Sequence, residues 1–237
     1  IATSSLSRNI TIKGGVVMRS KTRNIRRATQ DLDIDFIRLS LSNEAIDTFI
    51  SKLNCLDGIT LKRYGEIEEL KQQDYKGKRV FIQLQDDAGN MIVNKLDIGV
   101  HTHLNLEQEE YCFDIAFDEE GASVLINTNE QMFAEKLQSL LRLGAISTRY
   151  KDIFDMYYLS QHVDSYALCR CLDTCIFSDS RMRENNLQEI LARLEFTFQN
   201  KNYLKRVDRA KTKWIDLEID TVVEGIKSAL EKCKQIE

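Results

Sequence analysis

Residues 13–35 read KGGVVMRSKTRNIRRATQDLDID. Asp31, Asp33 and Asp35 stand at alternate positions. A β-strand sends alternate side chains to one face, so a strand over 31–37 puts these carboxylates on one side. Leu32, Ile34 and Phe36 then take the other. Carboxylates side by side repel one another and lose hydration if buried. A fold tolerates them most readily where cations sit, and hard oxygen ligands suit Mg²⁺ or Mn²⁺. Upstream, Gly14 and Gly15 follow the apolar run Ile10–Ile12. Glycine lets backbone approach a ligand closely and points N–H groups at phosphate oxygens. Each signal has a plainer reading: a Gly pair marks many turns, and Asp-x-Asp also suits the wet face of an edge strand.

Working outward, residues 9–13 are expected to form a strand and 16–22 a short helix. An amphipathic helix opens at Asn43 and Glu44 and carries Ala45, Ile46, Phe49, Ile50 and Leu53 on one side. Residues 59–67, 79–85, 91–100, 111–117 and 122–126 alternate like strands. The run from Asp86 to Asn90 has hairpin-turn chemistry. From Asn129 the apolar period changes from 2 to 3.6, with helices expected near 130–143, 150–161, 164–177, 185–199, 201–213 and 219–235. The expectation is therefore an α/β (α+β) mixed-sheet domain over 1–128 and a helical domain over 129–237.

A chain of 237 residues with 43% apolar and 30% charged residues has enough apolar material for a core. A net charge of −4 argues against a strongly basic nucleic-acid binder overall. The distribution is uneven, however. Residues 1–30 hold Arg8, Lys13, Arg19, Lys21, Arg23, Arg26 and Arg27 and no acid. That stretch either steers polyanions or is a solvated basic loop. No run approaches a membrane span, and the polar Ile1–Arg8 lacks the apolar core of a signal peptide. Six cysteines without zinc-like spacing are expected as free thiols in a reducing cytoplasm.

Other residues could carry chemistry. Alternation puts Lys95 and Asp97 on one face of the 91–100 strand. They are either an edge ion pair, or Asp97 joins Asp31 and Asp33, binding metal or taking a proton from an attacking hydroxyl. His101 and His103 are expected in a surface loop. Lys136 falls inside the apolar arc of its helix, where lysine is seldom found without a partner. It either aims its ammonium into a cleft that takes a triphosphate or reaches out to water along its stem. Arg149 and Lys151 are candidates for phosphate or RNA contacts, whereas Asp152 and Asp155 have a structural use near a helix N-terminus. Lys201, Lys205, Arg206, Arg209, Lys211 and Lys213 form a basic helix that either holds an RNA backbone or is solvated.

These residues together resemble a family. Lys13-Gly14-Gly15 followed by Arg27-Ala28-Thr29-Gln30-Asp31-Leu32-Asp33 looks like the first signature of the AbiEii nucleotidyltransferase toxins. Lys95-x-Asp97 resembles the second motif, Glu130-x-x-x-Ala134-Glu135-Lys136-Leu137 the third, and Arg149-x-Lys151-Asp152-x-x-Asp155 the fourth. The resemblance implies a nucleotidyltransferase-like sheet, with the helical half completing a nucleotide cleft. It implies Mg²⁺- or Mn²⁺-dependent transfer from an NTP, with Asp31, Asp33 and Asp97 as metal-binding and catalytic residues. Gly14, Gly15, Thr29, Lys95, Lys136, Arg149, Lys151 and Asp152 would hold the nucleotide. MenT-like relatives imply transfer to the 3′ end of tRNA or another RNA, restrained by a cognate antitoxin; the lack of a long apolar run leads to no expected membrane partner. The rival readings are a drug-modifying enzyme that nucleotidylates a small molecule and a nucleotide-binding module without turnover.

Overall fold

A computed structural model of the chain describes residues 1–70, 77–116 and 118–234. Phe117 of the expected strand 111–117 and Gln235 of the expected helix 219–235 lie outside the described residues. Contacts divide the chain into two compact units, Ile1–Asn127 and Thr128–Glu237.

The first unit is built on a seven-stranded mixed sheet. Its strands are β1 (Ile10–Lys13), β2 (Leu32–Phe36), β3 (Ile59–Leu70), β4 (Gly77–Asp86), β5 (Met91–Val100), β6 (Gln108–Ile115) and β7 (Asp118–Asn127), in the order β3-β4-β5-β2-β1-β7-β6. β1 runs parallel to β7 and β2 parallel to β5, and the other neighbours are antiparallel. Directly paired residues share a face. Ile10, Ile12, Ile34, Phe36, Leu96, Ile98 and Ile126 therefore form one apolar face, and all are buried. Helices α1 (Gly15–Thr22) and α2 (Asn43–Lys52) cover it. Phe49 of α2 meets Phe36 edge to face at 5.1 Å between ring centroids. Ser20 and Lys21 of α1 bond Tyr111 and Glu109, whose register partners Val124 and Ile126 belong to the same face. The opposite face is polar, and Thr11 there donates a buried hydrogen bond to Asn127.

The second unit is helical: α3 (Asn129–Leu143), α4 (Tyr150–Ser160), α5 (Ser165–Leu172), α6 (Leu187–Phe198), α7 (Lys201–Asp208) and α8 (Ile219–Cys233). α5 runs on through a π-helical turn, Asp173–Phe177. Thr128, Asp164, Asn186 and Asn200 cap the first turns of α3, α5, α6 and α7 with side-chain oxygens. In α8 the stripe Val222, Val223, Ile226, Ala229, Leu230 and Cys233 is buried. The expected helix over 201–213 ends at Asp208. The chain folds back there, with Lys213 Nζ 2.6 Å from Asp208 and the Trp214 indole donating to Asp155 at 3.0 Å. Apolar spacing from Tyr203 through Val207 to Trp214 mimics a longer helix, but the indole's polar partner decides where the chain goes. All six cysteines are free thiols. Among the described residues no helix is long and apolar enough to cross a membrane.

Candidate active site

The polar face of the sheet carries a row of four charged residues in direct register across four strands. Lys13 on β1 pairs with Asp33 on β2, Asp33 with Asp97 on β5, and Asp97 with Arg79 on β4. The order is cation, anion, anion, cation. Arg79 grips Asp97 through two 2.8 Å hydrogen bonds, one to each carboxylate oxygen. That hydrogen bonding holds the guanidinium pKa above its ordinary value. Lys13 reaches along the sheet to Asp35 at 2.7 Å. Asp35 is 4% exposed, and its Oδ1 is buried with no hydrogen-bond partner among the described residues. Just before β2, Asp31 pairs with Lys95 at 2.6 Å. The alternative of a Lys95–Asp97 edge pair is thus replaced by two separate pairs, since Arg79 claims Asp97.

The Gly turn abuts this row. Gly14 has φ +69° and ψ −135°, backbone that only glycine adopts comfortably. A Cβ on Gly14 would stand 2.5 Å from Asp33 Oδ2, and one on Gly15 would overlap Thr29 Oγ1. Thr29 in turn donates to the Asp31 carbonyl at 3.3 Å. The spaced motif is therefore one interlocked contact set. Gly14 also opens α1, whose first turn carries no acid and, among the described residues, no side-chain cap. Such a terminus presents backbone N–H groups to an anion. Gly14→Ala is expected to destabilise the first unit by roughly 1–3 kcal/mol through backbone strain alone, read as a lower urea midpoint at unchanged slope.

A second cluster lies on α3 and α4. Lys136 is 8% exposed, and its Nζ sits 2.7 Å from Asp152 and 2.9 Å from Asp155. Arg149 Nε bonds the other oxygen of Asp152 at 2.6 Å. Burial works against charge on both partners. The two carboxylates nevertheless raise the Lys136 pKa, and the cations Lys136 and Arg149 bring Asp152 down to about 2. Asp155 is fully buried and also accepts from Trp214. Lys136 is thus buried as its place in the apolar arc implied, but with two carboxylate partners rather than a stem reaching to water. Lys151 stands beside this cluster in the first turn of α4 and is half-buried.

The structure therefore brings Asp33, Asp97 and Gly14 together with two residues that the sequence reading did not single out as site residues, Lys13 and Arg79. Lys13 could have been found from its place beside the Gly pair. Arg79 had no such signal, because its position opposite Asp97 depends on strand register. Other expectations change. Three of the seven cations in the basic stretch 1–30 pair with acids of β6: Arg8 with Glu110, Lys21 with Glu109 and Arg23 with Asp114. Arg27 is 3% exposed. His101 lies in a loop but is buried, its Nε2 3.1 Å from the His103 carbonyl. In the basic C-terminal segment Lys213 pairs with Asp208, and Arg206 donates to the Ala145 carbonyl.

The chemistry of Asp31, Asp33 and Asp97 suits a hard divalent cation. Among the described residues, however, no three acidic, histidine or cysteine side chains are grouped closely enough to hold one. Their ion pairs turn Asp31 toward Lys95 and Asp97 toward Arg79.

The glycine turn leads into a helix beside an Asp-x-Asp strand whose second aspartate faces a third carboxylate, a combination of groups suited to nucleotidyl transfer. The family model for the nucleotidyl transferase AbiEii toxin of type IV toxin–antitoxin systems matches residues 1–224, and the chain belongs to that family. No curated protein matches the chain significantly. Membership implies an NTP substrate and an antitoxin partner.

Proposed function

We propose that the enzyme transfers a nucleotide from an NTP to the 3′ end of an RNA, tRNA being the favoured acceptor, and that an antitoxin restrains it. One observation carries the reaction class: Asp33 and Asp97 face each other in register, with Gly14 pressed against Asp33 at the start of α1. The tRNA acceptor is supported by the motif resemblance to MenT-like relatives.

Asp31, Asp33 and Asp97 carry the donor chemistry for Mg²⁺ or Mn²⁺, which would supply charge neutralisation at the reacting phosphate; holding it would require the three side chains to draw closer than they stand here. The turn at Gly14 and Gly15 and the first turn of α1 receive the triphosphate through backbone N–H groups. Thr29 keeps the Asp31 backbone in place behind that turn. Asp97 accepts the proton of the attacking hydroxyl. The Arg79 fork occupies one lone pair on each of its oxygens and leaves others available. The acceptor oxygen bonds to the α-phosphorus, the bond to the β-phosphate bridge breaks, and pyrophosphate leaves. Lys95, Arg149 and Lys151 are assigned to nucleotide binding; Lys136 and Asp152 do not touch the nucleotide in this reading but fix the start of α4.

Incubation with each labelled NTP, Mg²⁺ and total RNA tests this reading. Label is expected on one size class of small RNA, sensitive to removal of the RNA 3′ hydroxyl by periodate. Label on a small molecule only would establish the drug-modifying alternative. Nucleotide binding without transfer to any acceptor would establish the non-catalytic one.

A further inference from the structure

Helix α7 presents its cations on one side. At the pitch of an α-helix, Lys201, Asn202, Lys205, Arg206 and Arg209 share an arc about 140° wide. The arc holds no apolar side chain and no acid. Tyr203 and Val207 lie on the opposite side, where they are buried and seat the helix in the second unit. Lys201, Lys205 and Arg209 are exposed and follow one another at steps of about 6 Å. Among the described residues no acid stands within ion-pair distance of these three. Asp208, the one acid between Lys201 and Lys213, is taken by Lys213 at 2.6 Å. Arg206 ties the arc to the link ahead of α4. Its guanidinium lies over the Tyr203 ring and donates to the Ala145 carbonyl at 2.7 Å. That link leads into Arg149, whose side chain is 58% exposed.

We infer that this face of α7 grips the phosphate backbone of the acceptor RNA rather than its reacting 3′ end. The inference rests on the RNA-acceptor reading above and adds the surface that holds the body of that RNA. A net charge of −4 repels a polyanion at long range, so binding one needs a local group of cations left free by the fold. Phosphates repeat along a strand, and cations at equal steps on a packed helix meet such a ligand several times over. Contacts of this kind position RNA without reading its sequence. The rival occupant is an acidic protein. Protein interfaces gather apolar groups at their centre and are depleted in lysine, and the arc offers no apolar group at all. Interfaces with nucleic acid are polar and strongly positive. The face therefore supplies RNA affinity and leaves the chemical step to other residues.

Binding of fluorescently labelled, periodate-oxidised bulk tRNA to the full chain tests this, without NTP and across about 50–200 mM salt. The oxidised 3′ end accepts no nucleotide, so the readout is independent of transfer. A triple variant, Lys201→Gln with Lys205→Gln and Arg209→Gln, is expected to bind at least about tenfold more weakly, with the slope of log affinity against log salt shallower by about 2–3. With intact tRNA its KM for RNA should rise by the same factor while kcat and the KM for NTP hold. Each single variant should flatten the slope by about 0.7–0.9, which keeps the test valid should the triple variant melt early. A control with Lys52→Gln, Lys62→Gln and Lys232→Gln removes the same charge from exposed positions elsewhere and should bind like the wild type. Unchanged RNA affinity and slope in the α7 variants would overturn the inference, and so would equal weakening in the control. Weaker binding of poly-glutamate with unchanged RNA binding would assign the face to an acidic protein and overturn it as well. A wild type that binds no RNA at any salt would instead remove the RNA-acceptor reading, and this inference with it.

Discussion

Asp33→Asn is expected to lower nucleotide transfer at least about a thousandfold, some 4 kcal/mol of transition-state stabilisation. Asp33 lies against Gly14 and opposite both Lys13 and Asp97, at the centre of the charged row. The amide keeps the shape and removes the charge. Its loss also relieves repulsion with Asp97, so the melting temperature is expected to hold or rise slightly. Single-turnover transfer measured beside a thermal melt separates the two effects. Near-wild-type turnover at ordinary Mg²⁺ would remove Asp33 from the catalytic machinery. Lost turnover together with a much lower melting temperature would show that the carboxylate serves the fold.

Lys136→Met is expected to destabilise the helical unit by about 3–5 kcal/mol, because it strands Asp152 and Asp155 in a buried place. The buried position of this lysine admits a stability-neutral substitution only if its anionic partner arrives with substrate, and both partners are already in the fold. The effect must weaken in acid. The folded state holds Asp152 at about 2, below its ordinary value. Such a carboxylate contributes stability that is present above the ordinary value and lost as pH falls through about 2. The shift corresponds to roughly 2 kcal/mol. Urea unfolding of the wild type and the variant should therefore differ widely at pH 7 and converge toward pH 2–3. An unchanged midpoint at pH 7 with weakened NTP binding would make Lys136 a ligand-binding residue instead.

Much of this was legible before the structure. The alternation of Asp31, Asp33 and Asp35 against Leu32, Ile34 and Phe36 needs only the period of a strand, and it holds for β2. The change to helical period at Asn129 is similarly local, and α3 begins there. What escaped depends on long-range placement. Arg79 was one cation among many until antiparallel pairing set it opposite Asp97. Lys136 was readable as buried from its helix, but its two carboxylates come from α4. His101 could be placed in a loop, yet burial follows from what packs over the loop, and local pattern does not contain that. The early end of α7 was hidden for the same reason, since Trp214 keeps helical spacing while its partner Asp155 lies on another helix.

The row from Lys13 to Arg79 has an evolutionary consequence. Its four members come from separate strands, and each owes its direction to an odd or even count along its own strand. Deleting a single residue from β5 ahead of Asp97 would rotate that carboxylate into the apolar layer and bring Leu96 or Ile98 to the charged side. Adding residues at the Asp86–Asn90 turn leaves the count within each strand untouched. Homologues can thus drift in loop length while strand parity stays frozen. An alignment that places gaps inside β2 or β5 should be distrusted on structural grounds, however well its flanking letters agree.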